Sequence, residues 1–205
     1  MSTRSYVADE RALTALAASQ SGYFTSKQAA AIRYTAPKRN YHVHAGNWVR
    51  ELRGIFRLLT QPLPARPDLI LWWLWSRNRR DQPQGVYSHR TALSLHELTD
   101  VMPSRLHMTV PRTFRRSAAI PKAVALHMAD VPPSDIENID GVPVTKALRT
   151  LIDLVASGEL PIQDLQLAFA DATRSGKITR AEIAAAKTDL VQRDVLRFLD
   201  RKSVV

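Results

Sequence analysis

The segment from residue 22 to residue 58 limits the possible folds of this chain more than any other part of it. Thr25 is followed three residues later by Gln28, which is the spacing of a capping box, and this predicts a short helix over residues 26–32. Apolar residues at helical spacing predict an earlier helix over residues 8–19, ended by a Ser-Gly pair. The first part of the chain is therefore predicted to be helical.

The second half of this segment predicts another helix and a hairpin. Pro37 suits the first turn of a helix over residues 36–45, where its missing N–H is not needed, and Gly46 suits the position just after its end. Residues 49–52 and 55–58 are short β-like runs on either side of an Arg-Gly turn. Two helices followed by a basic hairpin are typical of the winged helix-turn-helix, whose second helix enters the major groove of DNA.

Polar and basic residues occupy the elements with which such a module would bind DNA. Successive residues of a helix are about 100° apart, so only some of them can face DNA. We expect Val43 to face the core, with Tyr41 as a second candidate for the core. A solvated basic face on the helix and a hairpin made soluble by its charges are the alternative interpretations. The predicted DNA-contacting residues are Lys27, Lys38, Arg39, Tyr41, His42, His44, Arg50 and Arg53.

The positive charge is concentrated in the first two thirds of the chain. Of the net +10, residues 1–60 carry 9 Lys/Arg against 3 Asp/Glu and residues 61–130 carry 10 against 5, whereas residues 131–205 carry 10 against 11. A basic surface of this size is an electrostatic footprint for polyanions. RNA-binding and membrane-surface proteins share it, so the charge supports a nucleic-acid partner without identifying which one.

The amino-acid composition also limits the cellular compartment in which we expect the protein. The chain has no cysteine, which excludes disulfides and Cys-ligated zinc and agrees with a reducing cytosol. The longest apolar run, residues 69–75, is far shorter than the roughly 20 residues of a membrane span. No apolar segment follows a basic start, as it would in a secretory signal. We therefore expect a soluble, cytoplasmic protein with no membrane partner.

Three prolines within residues 61–67 predict a linker and hence a domain boundary. Residues 1–60 form the predicted DNA-binding domain and residues 68–205 a second domain, in which helical and strand-like patterns are mixed. The predicted fold class is α+β: an N-terminal winged helix-turn-helix domain followed by a mixed α/β C-terminal domain that ends in helices.

The second domain is predicted in more detail from periodicity and capping residues. A tryptophan-rich helix opens it, and we expect these rings to form core or an interface, with the three arginines that follow as possible extra DNA contacts. The predicted helices are 68–79, 89–98 capped by Ser88, 146–157 capped by Thr145, 161–174, 180–187 and 189–201, and the predicted extended pieces are 106–110, 123–128 and 136–144.

No catalytic or metal-binding signature is visible in the second domain. Its histidines are scattered without a His-x-x-x-His pair, and phosphate-loop, dinucleotide-binding, hydrolase and kinase motifs are missing. We therefore predict no catalytic residue, no metal and no cofactor. Lys146, Arg149 and Asp153 are predicted to share one helix face, at spacings of i, i+3 and i+7. Because Arg149 and Asp153 are four residues apart, an ordinary ion pair is the simplest interpretation of that face. The polar residues predicted for a functional surface are Ser88, His89, Arg90, Lys146, Arg149 and Asp153.

Ordered motifs across residues 20–185 resemble AbiEi-type antitoxins. Residues 22–32, the Tyr41-His42-Val43 helix with Gly46 and residues 53–58 resemble the N-terminal domain of that family. The motifs that resemble its C-terminal region are residues 87–93, residues 106–111, and residues 141–145 through 149–153.

The resemblance implies a type IV toxin–antitoxin, or abortive-infection, system. In that family the winged domain represses its own operon by binding inverted-repeat double-stranded DNA. The C-terminal domain counteracts a nucleotidyltransferase toxin without a stable complex, and we expect a monomer in solution or a weak dimer on DNA. Two alternatives stay open: a plain winged-helix regulator with a dimerisation or ligand module, and an enzyme, such as a kinase-like one, that modifies the toxin.

Overall fold

The described residues of the chain form a mixed α+β protein. The structure, a computed structural model, describes residues 3–117, 119–186, 195–196 and 199. The chain divides into two compact units: one runs to Gln84 and includes Asp140–Val142, and the other begins at Gly85. The predicted helix over residues 189–201 lies mostly outside the described residues. None of the described helices has the length and apolar character that a bilayer crossing requires.

The first unit contains the predicted helices and strands and one additional strand, but its first helix begins at Thr3 rather than at the predicted residue 8. The Thr25 side chain accepts a hydrogen bond from the Gln28 N–H, and the Gln28 side chain accepts one from the Thr25 N–H, so the predicted capping box is confirmed. The elements are α1 (Thr3–Ala18), β1 (Tyr23–Thr25), α2 (Ser26–Ala31), α3 (Ala36–His44), β2 (Trp48–Leu52) and β3 (Ile55–Leu58).

The three strands of the first unit form an antiparallel sheet with β3 in the centre, between β1 and β2. The register of β2 on β3 shifts between Arg50 and Leu52, which leaves Glu51 as an extra residue. A bulge of this kind bends the strand and increases its twist. The hairpin formed by β2 and β3 is therefore curved rather than flat.

Aromatic residues from the strands fill the core of the first unit. The Phe24 ring meets Trp48 edge-on at 4.9 Å and stacks on Phe56 at 5.7 Å between centroids. Leu13 of α1 and the partly buried Val43 of α3 pack against this cluster, and the core position predicted for Val43 is confirmed. The sheet and the helices thus share one apolar core.

Helix α4 (Pro67–Trp75) belongs to the first unit, although the sequence predicted a second domain from residue 68. Its residues Leu69, Ile70, Leu74 and Trp75 are buried, and the helix packs on β1 and β3. The apolar face of α4 is thus what extends the unit past the prolines to Gln84. The helix is also shorter than predicted, because Ser76 follows it as the C-terminal cap.

A five-stranded mixed sheet forms the second unit, in the order β6-β5-β4-β8-β7. Strand β4 is antiparallel to β5 and parallel to β8, while β5 and β6 are parallel. The centre of the sheet is fully buried at Tyr87, Met108 and Val144. The strands are β4 (Val86–Tyr87), β5 (Leu106–Val110), β6 (Val124–Met128), β7 (Ile136–Ile139) and β8 (Val142–Thr145).

The helices of the second unit pack around a leucine-rich core. Leu93, Leu151, Leu154 and Leu165 are all buried in it. Apolar residues three and four apart put such a stripe on one helix face. The helices are α5 (His89–Leu95), α6 (Ala147–Ser157), α7 (Ile162–Arg174) and α8 (Arg180–Ala186), with a short 3-10 turn at Pro133–Asp135.

Two predicted helix caps are wrong in their hydrogen bonding. Ser88 does precede α5, but its side chain caps no helix N–H; it accepts a hydrogen bond from Thr109 instead. Helix α6 begins one residue later than predicted and its N-cap is Lys146, while the Thr145 hydroxyl bonds with the Thr150 hydroxyl. Both hydroxyls are buried, and bonds to other side-chain hydroxyls replace the capping bond.

Candidate functional site

The outer face of α3 carries exposed residues at helical spacing. Pro37, Asn40, Tyr41 and His44 are all exposed, and Tyr41 is exposed at 68%. Residues three or four apart share a helix face, so these four form one stripe. The possibility that Tyr41 packs in the core is therefore wrong. The stripe contains Tyr41 and His44, which the sequence predicted, and Asn40, which it missed because an uncharged amide on a helix gives no signal.

His42 lies against the core rather than on this stripe. Its ring stacks on Trp48 with centroids 4.6 Å apart and an angle of 11° between the planes, and it meets Tyr34 edge-on at 5.4 Å. Burial lowers the pKa of His42 below its ordinary value. These contacts favour a packing role for His42, in which it fixes the rotation of α3, over the predicted contact with DNA.

The predicted cations of α2 and α3 are partly engaged by the protein itself. Arg39 is half-buried and donates from Nη1 to the Tyr34 carbonyl at 2.6 Å. A guanidinium has five N–H donors, so this bond leaves others for a ligand. Lys38 is half-buried beside it, and the exposed Lys27 donates from Nζ to the Arg79 carbonyl.

The β2–β3 hairpin places its arginines in different environments. Arg53, in the turn, is exposed, and the exposed Arg50 lies with its guanidinium 5.9 Å from the centroid of the Phe56 ring. Arg57 is instead paired with Glu51 across the hairpin at 2.9 Å. Arg50 and Arg53, two of the predicted DNA-contacting residues, are therefore the hairpin cations that face solvent.

Arg77 holds the hairpin turn in place. Its guanidinium donates to the Gly54 carbonyl at 3.3 Å and to the Leu74 carbonyl at 2.9 Å, and it pairs with Asp81 at 3.0 Å. Gly54 has a φ of +78°, and a Cβ there would lie 2.8 Å from Arg77 Nη2. Burial lowers the pKa of Arg77 below its ordinary value. The extra DNA contact considered for Arg77 is therefore replaced by a structural role.

A tight turn next to α2 presents two further arginines. The Asn78 side chain accepts hydrogen bonds from the backbone N–H groups of Arg80 and Gln82, at 2.8 and 3.1 Å. Both Arg79 and Arg80 are exposed. Lys27, in the first turn of α2, donates to the Arg79 carbonyl, so the turn that carries Arg79 and Arg80 lies beside the start of α2.

In the second unit, Ser88 and His89 are buried at the start of α5. Ser88 Oγ accepts a hydrogen bond from Thr109 Oγ1 at 2.7 Å and lies 2.9 Å from His89 Nδ1. Arg90 is half-buried. The predicted surface role of Ser88 and His89 is thus unsuited to their positions, because both lie inside the second unit.

Three histidines and a glutamate, His89, His107, His127 and Glu159, form what we call the histidine cluster. The rings of His89 and His127 stack with centroids 3.6 Å apart and 10° between their planes. His107 Nδ1 lies 3.0 Å from His127 Nε2 and 3.4 Å from Glu159 Oε2, while His127 Nε2 lies 3.9 Å from Glu159 Oε1. Sequence reasoning missed the cluster because its members come from α5, β5, β6 and the segment after α6.

The histidine cluster disfavours protonated rings. Burial lowers the pKa of His89 to about 3, with further lowering by His127 and His107. Burial also lowers the pKa of His107 and of His127 below the ordinary value, although Glu159 acts in the opposite sense on both. Neutral imidazoles therefore face one carboxylate.

Arg149 of α6 links two carboxylates in the second unit. It pairs with Asp153 at 2.9 Å, as the four-residue spacing predicted, and with Asp135 at 3.0 Å. Burial raises the pKa of Asp153 above its ordinary value, and Arg149 offsets part of that effect. Lys146 precedes the helix as its N-cap, so the predicted shared helix face holds only for Arg149 and Asp153.

No protein-family model and no curated protein matches this chain. The crystal structure of the Rv2827c protein from Mycobacterium tuberculosis is similar in fold, with a TM-score of 0.59 and 14% sequence identity. The similarity covers 94% of this chain and 77% of that chain. At 14% sequence identity, this similarity shows a shared fold alone.

Proposed function

We propose that this chain is a DNA-binding antitoxin that represses its own operon. Its first unit binds duplex DNA as a winged helix-turn-helix, with α3 in the major groove and the β2–β3 hairpin against the backbone. One observation carries the DNA-binding part: the exposed stripe of α3 and the exposed arginines of the hairpin belong to one compact unit with the element order of that module.

Packing on the inner side of α3 supports this assignment. Because His42 stacks on Trp48 and Val43 packs on the core, the helix cannot rotate without losing both contacts. Asn40, Tyr41 and His44 are therefore held outward as polar groups. An Asn side chain can hydrogen-bond adenine bidentately in the major groove, so Asn40 is the residue to which we assign base recognition.

The hairpin cations have a different task. Arg50 and Arg53 reach phosphates, which position a protein on DNA without reading its sequence. The bulge at Glu51 and the bonds from Arg77 to the turn hold the hairpin in one shape. Order of this kind lowers the entropy lost when a loop binds a ligand.

The DNA-binding proposal is tested by fluorescence anisotropy with a duplex that carries the region upstream of its own gene and an unrelated duplex of equal length. We expect the chain to prefer the upstream duplex. Asn40→Ala removes an interaction of about 1–3 kcal/mol and should reduce that preference by roughly 5- to 150-fold. Asn138→Ala, an exposed asparagine of β7, is the matched control. Equal affinity for both duplexes in the unaltered protein would contradict operator recognition.

The antitoxin part of the proposal is supported by the motif resemblance over residues 20–185. In this proposal the second unit neutralises the toxin. Co-expression with a nucleotidyltransferase encoded next to this gene tests it: the full chain should restore growth. A plain winged-helix regulator would repress the promoter and leave the cells intoxicated. The two functions are thus separated by one growth measurement and one promoter measurement.

A further inference from the structure

We propose that the histidine cluster is a binding site for a divalent transition-metal cation of the Zn²⁺ class. His89, His127 and Glu159 each offer one ligand atom, and these three atoms lie within 4.8 Å of one another. His107 stands beside them as a fourth candidate. Nitrogen and carboxylate oxygen are the donors that zinc takes in sites with one open position for water or a substrate.

The spacing of the donor atoms is close to that found around one ion. Metal–ligand bonds of about 2.0–2.2 Å place the ligands of a tetrahedral zinc roughly 3.3–3.5 Å apart. The separation of His107 Nδ1 from Glu159 Oε2, 3.4 Å, lies within this range, and that of His127 Nε2 from Glu159 Oε1, 3.9 Å, is slightly longer. The stacked rings of His89 and His127 are nearly parallel, so one must rotate about its Cβ–Cγ bond for both to reach one ion.

Glu159 supplies an independent observation. Its Oε2 atom is shielded from solvent and accepts no hydrogen bond from any described residue. His107 Nδ1 lies 3.4 Å from it but shares its one ring N–H or lone pair with His127 Nε2 at 3.0 Å, and a buried carboxylate oxygen without a hydrogen bond is costly. A cation bound between Glu159 and the imidazoles would supply the missing partner.

Outer contacts orient His89 for such a role. Its Nδ1 lies 2.9 Å from Ser88 Oγ, which accepts a hydrogen bond from Thr109. A ligating histidine commonly engages its second ring nitrogen with a polar group, which fixes the orientation of the ring. Nε2 is therefore the His89 atom that we assign to the metal. The buried setting also favours the neutral imidazole, which is the form that binds a metal.

Charges of both signs surround the histidine cluster. Arg149 acts on His89 electrostatically, but its charge is paired with both Asp135 and Asp153. Two carboxylates thus offset that one guanidinium, and Glu159 adds a further negative charge. Arg90 and Arg105 also act electrostatically on His107, so the cluster lies among charges of both signs, and Glu159 is its own carboxylate that would face a bound cation.

The test uses the full chain without a histidine tag, treated with a chelator and then titrated with Zn²⁺ by calorimetry. We expect one Zn²⁺ per chain. Co²⁺ should replace it and give visible absorption bands of a four- or five-coordinate ion. Glu159→Gln, which keeps the shape of the side chain, should weaken Zn²⁺ binding at least about tenfold, as should His127→Gln.

Matched controls keep the proposal falsifiable. His44→Gln removes an exposed histidine of α3 and should leave the stoichiometry and affinity unchanged. Circular dichroism of each variant verifies that it folds. The absence of saturable Zn²⁺ binding would overturn the proposal, as would binding that survives in folded Glu159→Gln and His127→Gln or that is lost in His44→Gln.

Discussion

Arg53 and Arg57 lie four residues apart in the same hairpin and differ in what surrounds them. Arg57 is bound to Glu51 at 2.9 Å, whereas Arg53 in the turn is exposed. The sequence alone shows one arginine directly before Gly54 and another three residues after it. Their difference arises from the register of the hairpin, and it decides which of them can meet a phosphate.

Arg53→Ala should weaken DNA binding on every duplex and flatten its dependence on salt. Each phosphate contact that is lost removes about one unit from the slope of log affinity against log salt. Anisotropy titrations at several salt concentrations measure this slope. Arg174→Ala on α7, where the arginine is 80% exposed, removes the same charge and should leave the slope unchanged. An unchanged slope in Arg53→Ala would show that the hairpin turn does not contact phosphate.

His42 should make the stability of the protein fall in weakly acidic solution. Its pKa is lowered in the folded chain by burial, while in the unfolded chain it lies near 6.5. Below about pH 6.5 the unfolded chain therefore takes up a proton that the folded ring resists, so acidification favours unfolding. His42→Phe keeps a ring on Trp48 and should lose less stability between pH 7.5 and pH 5.

Urea unfolding at the two pH values measures this effect. His44→Gln serves as the control, because His44 is exposed and donates from Nδ1 to the Asn40 carbonyl at 2.7 Å. Its pH dependence should match that of the unaltered protein. An equal loss of stability in His42→Phe and the unaltered protein would show that His42 does not contribute.

At the scale of elements, local signals predict some boundaries closely. The capping box at Thr25 and Gln28 marks the start of α2, and the Arg-Gly pair marks the hairpin turn, because in both cases the residues that form the feature are neighbours in sequence. Strands β5 and β3 also coincide with their predictions at Leu106–Val110 and Ile55–Leu58.

Other elements depend on distant partners and escaped prediction for that reason. Strands β1 and β4 have three and two residues, too few to show a period, and exist because β3 and β5 pair with them. The same is true of the histidine cluster, in which His107 and His127 lie on neighbouring parallel strands 20 residues apart. No spacing rule along the chain brings such residues together.

Arg77→Gln should destabilise the first unit, because the hairpin turn loses its donor and Asp81, which also accepts a hydrogen bond from Thr25, loses its ion-pair partner. Both side chains of that pair are mostly buried, at 15% and 12% exposure. Leaving a buried polar group unsatisfied costs roughly 1–3 kcal/mol, and urea unfolding measures it. Arg66→Gln is the comparison: its partner Asp68 is 42% exposed, and such pairs contribute about 0–1 kcal/mol. Equal losses in the two variants would contradict the anchoring role.

At the scale of the whole molecule, charge and structure divide the chain differently. The basic excess covers residues 1–130, whereas the compact first unit ends at Gln84. The proposed DNA-binding residues all lie within that unit, and the histidine cluster lies within the other. The proline-rich segment predicted a boundary from composition, but the buried face of α4 carries the first unit past it.

This division predicts that repression and toxin neutralisation can be separated by mutation. The double variant Lys38→Ala/Arg53→Ala changes two cations of the proposed DNA surface and leaves the second unit intact. It should release a reporter promoter from repression, because phosphate contacts supply much of the affinity for DNA. It should still restore growth to cells that express the toxin, at protein levels matched by immunoblot to those of the unaltered chain. Loss of both functions in the folded double variant would show that the second unit acts only through DNA, and the antitoxin proposal would then give way to a plain transcriptional regulator.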